Sequence, residues 1–332
     1  AGGAPAAPAG RALRFRRVIA EAGLEDWKVA DYEAMRDDTP RTAGFEAAIR
    51  RSLAALPAGR AAVLDIGTGP FALLAIMAAR AGARRVYAVE KNPAAASLAR
   101  GAVEEAGLGG TVQVIEGDSM QVELPEKVDL VVSELIGSIA TQEGVEPIIR
   151  DAGRRFLKEG GAMIPQRCQT CIAPVLYKGR SPLDQLLSPR GEGLRSRGTS
   201  VSGASPPLRV RADAAERSLR LLAEPRLLED FDYAQSSRAR DGRQQFDLSF
   251  DVPAGGKFSG FAMWTRVVVD EQTRVEVRGQ PDSHWAYVVS LMTGEREPVE
   301  LSTPSLIRLG GTIDYDASPV RYELDAEVLA AA

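Results

Sequence analysis

Histidine and cysteine are scarce, with one histidine and two cysteines in 332 residues. Cys168 and Cys171 have the C-x-x-C spacing of half a zinc site, but structural zinc usually takes four cysteine or histidine ligands, which this chain cannot supply. The residues around them indicate a strand, where an offset of three directs side chains to opposite faces and disfavours a disulfide. The sequence therefore predicts two buried thiols in a reducing, cytoplasmic compartment and no metal site.

Positive charge and long apolar runs are also missing. The net charge is -4, whereas nucleic-acid-binding proteins normally carry a basic face, and no apolar run reaches the length that crosses a bilayer. We therefore expect neither nucleic acid nor a membrane as a partner, and the negative balance suits a cationic substrate. The arginine-rich "RALRFRRVIA" has a transit-peptide composition, which leaves an organellar or nuclear location open, but it favours a solvated helix.

Apolar strand-like runs alternate with helical stretches in the first half of the chain. The runs "AAVLDI", "RRVYAVE", "TVQVIEG" and "VDLVVSE" are each followed by a helix or a turn, which predicts a Rossmann-like α/β domain with a parallel sheet at 59–165. Residues 1–58 are predicted to form a leader and two lid helices that break at "DDTPRT". The sequence of residues 166–332 predicts a flexible arm at about 178–225. It then predicts antiparallel strands in a barrel or sandwich, because apolar residues recur at period two.

A glycine loop in "VLDIGTGPFA" joins the first predicted strand to its helix. Gly67 and Gly69 allow a tight turn and close approach of a ligand to the backbone. A dinucleotide would fit this pattern too, but the carboxylate of Asp65 would repel a pyrophosphate and attract an ammonium or sulfonium. S-adenosyl-L-methionine carries both cations and no phosphate, so we predict it as the cofactor.

Three further residues extend this cofactor prediction. Glu90 ends the second predicted strand, where an acid can accept hydrogen bonds from both ribose hydroxyls. Asp118 and Ser119 follow the third strand and are placed to bind an adenine edge. Taken singly, Asp65 is equally consistent with a helix-capping acid and Glu90 with a solvated strand end.

Two glutamates, Glu134 and Glu143, lie nine positions apart in "SELIGSIATQEG", with no lysine or arginine between them. A guanidinium is always protonated in proteins. Two carboxylates can hold its planar fork by paired hydrogen bonds and draw positive charge away from the attacking nitrogen. We therefore expect the missing cations to belong to the ligands, a guanidinium and a sulfonium. Without them the two acids repel, and one pKa is expected to be raised.

These motifs together resemble the protein arginine N-methyltransferase family. "SELIGSIATQEG" resembles its double-glutamate loop, "DSHWAY" its Thr-His-Trp loop, and "DDTPRT" the helix whose arginine holds the cofactor carboxylate. The resemblance implies a class I methyltransferase domain followed by an antiparallel β-barrel domain, with dimerisation through an arm. The tyrosine-rich helix usual before the lid is replaced by "LEDWKVADYEAM", and the acid expected near Met120 is displaced to Asp118.

The resemblance also implies roles for individual residues. Glu134, Glu143 and His284 would be catalytic, Arg41 would bind the cofactor carboxylate, and Trp285 would wall the substrate groove. His284 would orient the site or relay the proton lost on methylation, with Asp26 or Glu25 as its partner.

The implied activity is S-adenosylmethionine-dependent N-methylation of the guanidino group of arginine residues in proteins. A methyltransferase of a small guanidine, such as free arginine or agmatine, and a non-catalytic cofactor-binding module remain alternatives. A dinucleotide oxidoreductase is disfavoured by Asp65. The number of methyl groups added is not set by the sequence.

Overall fold

The computed structural model describes residues 12–20, 28–179, 207–234, 242–293, 297–317 and 319–330. The first-half elements are β1 (Leu13–Ala20), α1 (Val29–Asp37), α2 (Thr39–Ala54), β2 (Ala62–Ile66), α3 (Leu73–Arg80), β3 (Arg85–Glu90), α4 (Pro93–Glu105), β4 (Val112–Glu116), β5 (Val128–Ser133), α5 (Val145–Arg155) and β6 (Leu157–Ile164). Strands β2 to β6 form one parallel sheet in the order β4-β3-β2-β5-β6. The predicted parallel α/β unit is thus confirmed.

The second half of the chain is mostly antiparallel sheet. Its elements are β7 (Arg167–Tyr177), β8 (Leu208–Arg211), α6 (Ala212–Ser218), β9 (Leu219–Leu221), β10 (Arg226–Asp232), β11 (Arg243–Val252), β12 (Gly256–Phe258), β13 (Gly260–Val268), β14 (Arg274–Glu276), β15 (Ala286–Leu291), β16 (Val299–Leu301), β17 (Ser305–Asp314) and β18 (Arg321–Ala330). One sheet has the order β1-β18-β17-β11 and another β10-β7-β13-β15-β8. Barrel closure stays a prediction, and the predicted arm lies partly outside the described residues.

The prediction of a helix in "RALRFRRVIA" was wrong, because this segment is strand β1, paired antiparallel with β18. Its apolar residues recur at period two, and Ile19 is buried in the core between the two antiparallel sheets. On the other face, Arg14 and Arg16 form ion pairs with Glu327 and Glu323 of β18. The acids that stabilise this strand lie some 300 positions away, so local composition alone suggested a solvated helix.

Strands β7 and β13 lie between two hydrophobic cores. On β13, Met263 packs in the core between the antiparallel sheets, whereas its neighbour Trp264 packs in the core that includes the parallel sheet. The strand is therefore buried on both faces over most of its length, instead of having the predicted wet face. This packing brings the loop that follows β5, with its two glutamates, against β7 and β13.

Several smaller sequence predictions are also resolved. The break at "DDTPRT" is confirmed: Asp38 caps α2 by accepting a hydrogen bond from the Arg41 amide. Cys168 and Cys171 are buried thiols, as predicted. None of the described helices combines the length and apolar character that crossing a membrane requires. The domain limits at residues 58 and 165 stay predictions.

Candidate active site

The turn between β2 and α3 requires its glycines. Gly67 and Gly69 have φ angles of +72° and +65°, in the left-handed region that residues with a β-carbon rarely adopt. A β-carbon at position 67 would lie 2.5 Å from Cδ2 of Leu135, and one at position 69 would lie 3.1 Å from the Tyr32 ring. The turn is therefore held closely between α1 and the loop after β5.

Replacing Gly67 with alanine is expected to lower the free energy of unfolding by about 1–3 kcal/mol, because the strained φ and the Leu135 contact act together. Urea denaturation measures this change. Gly101 is the matched control: it lies within α4 at an ordinary φ, and a β-carbon there has no neighbour within 4 Å. Gly101→Ala is expected to raise stability by about 1 kcal/mol or less. Equal effects of the two substitutions would contradict this account of the turn.

Asp65 presents an unsatisfied carboxylate oxygen next to this turn. Its Oδ2 accepts hydrogen bonds from the Thr68 hydroxyl at 2.5 Å and the Ala75 amide at 3.1 Å. Its Oδ1 is buried without a hydrogen-bond partner among the described residues, and burial raises the pKa of this carboxyl to about 7. A buried acceptor of this kind fits the predicted ammonium group, since a cation would satisfy it and favour its ionised form.

Glu90 lies at the carboxyl end of β3, beside the glycine turn. Its Oε2 accepts a hydrogen bond from the Gly69 amide at 2.9 Å and its Oε1 one from the Asn92 amide at 2.8 Å. Each carboxylate oxygen has a second lone pair. The side chain is thus fixed by the backbone and keeps acceptor capacity for two ribose hydroxyls, which fits the predicted cofactor.

The two residues predicted to bind adenine have other partners in the structure. Asp118 accepts a hydrogen bond from the Met120 amide at 3.0 Å and forms an ion pair with Lys91 at 3.1 Å. The carbonyl oxygen of Ser119 accepts a hydrogen bond from Arg155 at 2.6 Å. Their adenine-binding role stays a prediction.

Arg41 is paired with one of the two glutamates. Both side chains are buried, and Nε and Nη2 of Arg41 donate hydrogen bonds to Oε2 of Glu134, the first at 3.0 Å. Arg41 Nη1 donates to the carbonyl of Met35 at 3.3 Å. The expectation that both missing cations belong to ligands is therefore corrected: Glu134 has a cation within the protein, supplied by α2.

Glu143 is the second glutamate, half-buried just before α5. Burial first and the charge of Glu134 second raise its pKa to about 7, while the charge of Arg209 opposes the shift. The prediction that one pKa of the pair is raised is confirmed. The two acids therefore lie within electrostatic reach of each other, although burial contributes more to the shift than repulsion does.

His284 is held by Asp38, a residue that the sequence reasoning missed. The Asp38 Oδ2 atom lies 2.8 Å from the ring Nδ1 and accepts the His284 backbone N–H at 3.0 Å. Burial raises the pKa of Asp38, but the hydrogen bonds from His284 outweigh it and hold that pKa below its usual range. In the sequence, the only local sign that Asp38 could have this role was its position as an acidic residue at the start of α2. The earlier candidates Glu25 and Asp26 lie outside the described residues.

Trp285 is buried in the core, and its role as a wall of the substrate groove stays a prediction. Its side chain is 3% exposed, and its indole N–H donates to the carbonyl of Ile136 at 2.8 Å. Its ring lies 4.4 Å from that of His284, centroid to centroid. Trp285 thus fixes the double-glutamate loop from within the core, because a buried indole needs a hydrogen-bond acceptor.

A cavity lies beside some of these residues. It is lined by residues of α1, α2, the glycine turn and the double-glutamate loop, among them Tyr32, Arg41, Asp65, Gly69 and Glu134. Burial, with the charges of Glu90 and Glu143, raises the pKa of Tyr32 to about 12, so this α1 side chain lies near both acids. The cavity volume of about 40 Å³ holds a few water molecules.

Comparison with known proteins identifies relatives of the chain. Residues 24–164 match the family described as PRMT5 arginine-N-methyltransferase. The Arginine N(omega)-methyltransferase of Streptomyces achromogenes subsp. streptozoticus is 32% identical over 259 residues, which are 76% of this chain and 68% of that protein. Protein arginine N-methyltransferase PRMT10 of Arabidopsis thaliana is 42% identical over 113 residues, 34% of this chain and 29% of that protein.

A solved structure shares the fold. The crystal structure of Arabidopsis thaliana protein arginine methyltransferase 10 superposes with a TM-score of 0.70 at 23% identity, covering 91% of this chain and 93% of that one. Both the parallel sheet and the antiparallel sheets are therefore part of a known architecture.

Proposed function

Because this chain belongs to the protein arginine N-methyltransferase family, we propose that it transfers a methyl group from S-adenosylmethionine to the guanidino group of arginine side chains in proteins. The observation that carries the proposal is a cavity lined by both Glu134 and Asp65, in which Oδ1 of Asp65 has no hydrogen-bond partner among the described residues. Glu143 lies close enough for the charge of Glu134 to act on it. This cleft offers anionic acceptors to two cations, a guanidinium and the positive groups of the cofactor. The homodimer and the cytoplasmic location stay predictions.

Each acidic residue has a definable task in this reaction. The cofactor, when bound, supplies a methyl group on a positively charged sulfur. Asp65 and Glu90 would hold its ammonium and ribose groups. Glu134, oriented by Arg41, and Glu143 would hold the guanidinium so that one nitrogen lies in line with the methyl group, and this positioning accounts for much of the expected rate.

His284 is suited to accept the proton that methylation releases. A methylated guanidinium keeps one positive charge, so the attacking nitrogen has to lose a proton. In the neutral tautomer that donates its Nδ1–H to Asp38, the ring nitrogen Nε2 is an acceptor. We infer that His284 relays this proton or orients the site.

The raised pKa of Glu143 predicts pH-dependent guanidinium binding. The ligand-free carboxyl is neutral below pH about 7 and charged above it, whereas the ligand stays protonated throughout. Affinity for an arginine peptide, measured by calorimetry with S-adenosylhomocysteine saturating, is expected to rise by nearly tenfold per pH unit well below pH 7 and to level off above it. Constant affinity between pH about 5.5 and 8.5 would contradict the assignment.

The raised pKa of Glu143 also predicts the direction in which the stability of the protein changes with pH. Between the usual carboxyl pKa near 4.5 and about 7, the folded protein keeps a proton on Glu143 that the unfolded chain has lost. The stability of the ligand-free protein therefore falls as pH rises through this interval. Glu143→Gln is expected to remove that part of the pH dependence, which thermal melts across the interval would measure.

A small guanidine is the second candidate substrate. The relative that matches 76% of this chain is named Arginine N(omega)-methyltransferase, without the word protein. The positive charge of Arg209 lowers the pKa of Glu143, so Arg209 lies near the proposed guanidinium site. A cation there could also attract the carboxylate of a free amino acid. An amino-acid substrate would use that charge, whereas an internal peptide residue would not.

One experiment distinguishes the candidates. The protein is incubated with isotopically labelled S-adenosylmethionine and an arginine-rich peptide, the same peptide with lysine replacing arginine, free arginine or agmatine, and the products are read by mass spectrometry. We expect label on the arginine peptide and none on the lysine peptide. Label confined to free arginine or agmatine would support the second candidate, and no label on any guanidine would refute both.

A further inference from the structure

A buried carboxylate outside the cleft contacts the double-glutamate loop. Glu229 of β10 is 2% exposed, and it forms no ion pair with a lysine or arginine of the described residues. Its carboxylate accepts hydrogen bonds from the hydroxyls of Thr141 at 2.6 Å, Thr170 at 2.5 Å and Tyr322 at 3.2 Å. Three hydroxyl donors thus replace water around this buried acid, which would otherwise be costly to bury.

These four residues, the Glu229 cluster, come from four parts of the chain. Thr141 belongs to the double-glutamate loop, Thr170 to β7, Glu229 to β10 and Tyr322 to β18. Strands β7 and β10 belong to one antiparallel sheet and β18 to the other. The cluster therefore connects the double-glutamate loop to both antiparallel sheets.

The carboxylate also sets the direction of each hydrogen bond. The Ala140 amide donates to Oγ1 of Thr170 at 3.0 Å, so the Thr170 hydrogen is directed to Glu229. Burial and the charge of Glu229 raise the pKa of Tyr322 well above its usual value, so its phenol keeps its proton and donates. An ionised Glu229 satisfies all three donors at once, whereas a glutamine would have to turn an N–H group towards at least one of them.

The loop has separate anchors near its two glutamates. Close to Glu134, the carbonyl of Ile136 accepts from Trp285 and the carbonyl of Gly137 accepts from the Thr265 hydroxyl at 2.6 Å. Closer to Glu143, the Ala140 amide donates to Thr170 and the Thr141 hydroxyl donates to Glu229, and Cys168 Sγ makes a longer contact of 4.0 Å with the Ala140 carbonyl. The Glu229 cluster therefore supplies the shortest polar contacts that hold this part of the loop.

We propose that Glu229 is a positioning residue for methyl transfer, which holds Glu143 near Glu134 through its hydrogen bonds with Thr141 and Thr170. The inference rests on the proposed function for its effect on turnover. Its effect on the loop is independent of that function. Glu229 is too deeply buried to contact the substrate and would act only through the loop.

Three variants test the role of Glu229. Glu229→Gln keeps the shape of the side chain and removes its charge, Thr141→Val removes the hydroxyl without changing its size, and Thr141→Ser keeps the hydroxyl. We expect kcat to fall by about tenfold or more in the first two, with cofactor Kd within about twofold of wild type. Thr141→Ser is expected to retain most of the activity. The double variant is expected to lose little more than one single variant, because both changes break one network.

Hydrogen exchange supplies a readout that needs no activity. Amides of residues 137–144 are expected to exchange faster in Glu229→Gln and Thr141→Val than in wild type or Thr141→Ser. Unchanged exchange, or wild-type kcat in both variants, would overturn the proposal. Faster exchange in a protein whose wild type methylates no guanidine would refute the proposed function and leave the anchor in place.

Discussion

Replacing Glu143 with glutamine is expected to lower turnover on the order of 100- to 1000-fold, as is typical when an enzyme loses a group aimed at developing charge. The amide keeps the size of the side chain but carries no negative charge, so it cannot hold the guanidinium with a charge-assisted hydrogen bond. Cofactor binding is expected to remain within about twofold, because the cofactor-facing acids Asp65 and Glu90 are unchanged. Single-turnover rates and calorimetric cofactor titration measure the two quantities separately.

Glu146→Gln is the matched control for this change. Glu146 lies three positions later in the first turn of α5, is buried, whereas Glu143 is half-buried, and forms an ion pair with Arg150 at 3.6 Å. Because its ion-pair partner is an arginine of its own helix, the control is expected to change turnover only a few-fold. Comparable losses in the two variants would assign the effect of Glu143→Gln to the fold of the segment.

Replacing Glu90 with alanine is expected to weaken cofactor binding by about 10- to 100-fold, the usual cost of removing a charged hydrogen-bond acceptor. The loss includes the Gly69 amide contact at 2.9 Å, which fixes the glycine turn. At saturating cofactor, turnover is expected to recover to within several-fold, because the glutamate pair remains intact. The two substitutions thus separate cofactor binding from methyl transfer.

Glu116→Ala is the control for Glu90. Glu116 is the register partner of Glu90 at the end of the neighbouring strand β4, and its side chain is exposed and paired with Arg100 at 3.2 Å. We expect its loss to leave cofactor affinity nearly unchanged. A wild-type dissociation constant in Glu90→Ala would exclude Glu90 from the cofactor site.

Without ligands, the negative charge of the acidic residues is reduced in two ways. Glu134 is neutralised by Arg41, whereas Asp65 and Glu143 have pKa values of about 7 and so hold protons over part of the physiological range. Cationic ligands would replace these protons, since a nearby positive charge favours the ionised carboxylate. Ligand binding and proton release are therefore expected to be coupled.

Local patterns were enough to predict the elements that form the cofactor region. The apolar runs before Gly67 and Glu90 have strand character, and the segments that follow have helical periodicity, so both residues could be placed at strand ends from sequence. The helix break before Arg41 was visible as an acid and a proline in succession. These features depend on neighbours within a few positions along the chain.

The partners of the site residues could not be predicted in the same way. Asp38 and His284 are 246 positions apart, and Arg41 and Glu134 are 93 apart. Such pairs depend on how α2 packs against the parallel sheet and against the antiparallel sheets, which no local periodicity encodes. For Trp285, likewise, local sequence gave no sign that its indole N–H donates to the Ile136 carbonyl inside the core.

The most direct test of the central claim is a crystal structure of the protein with S-adenosylhomocysteine and an arginine peptide. The account predicts that the guanidinium donates hydrogen bonds to both Glu134 and Glu143, with one nitrogen facing the cofactor sulfur. It also predicts that the cofactor amino group lies beside Oδ1 of Asp65. A guanidinium bound elsewhere, or a Glu143 carboxylate turned away from the cofactor, would contradict the account.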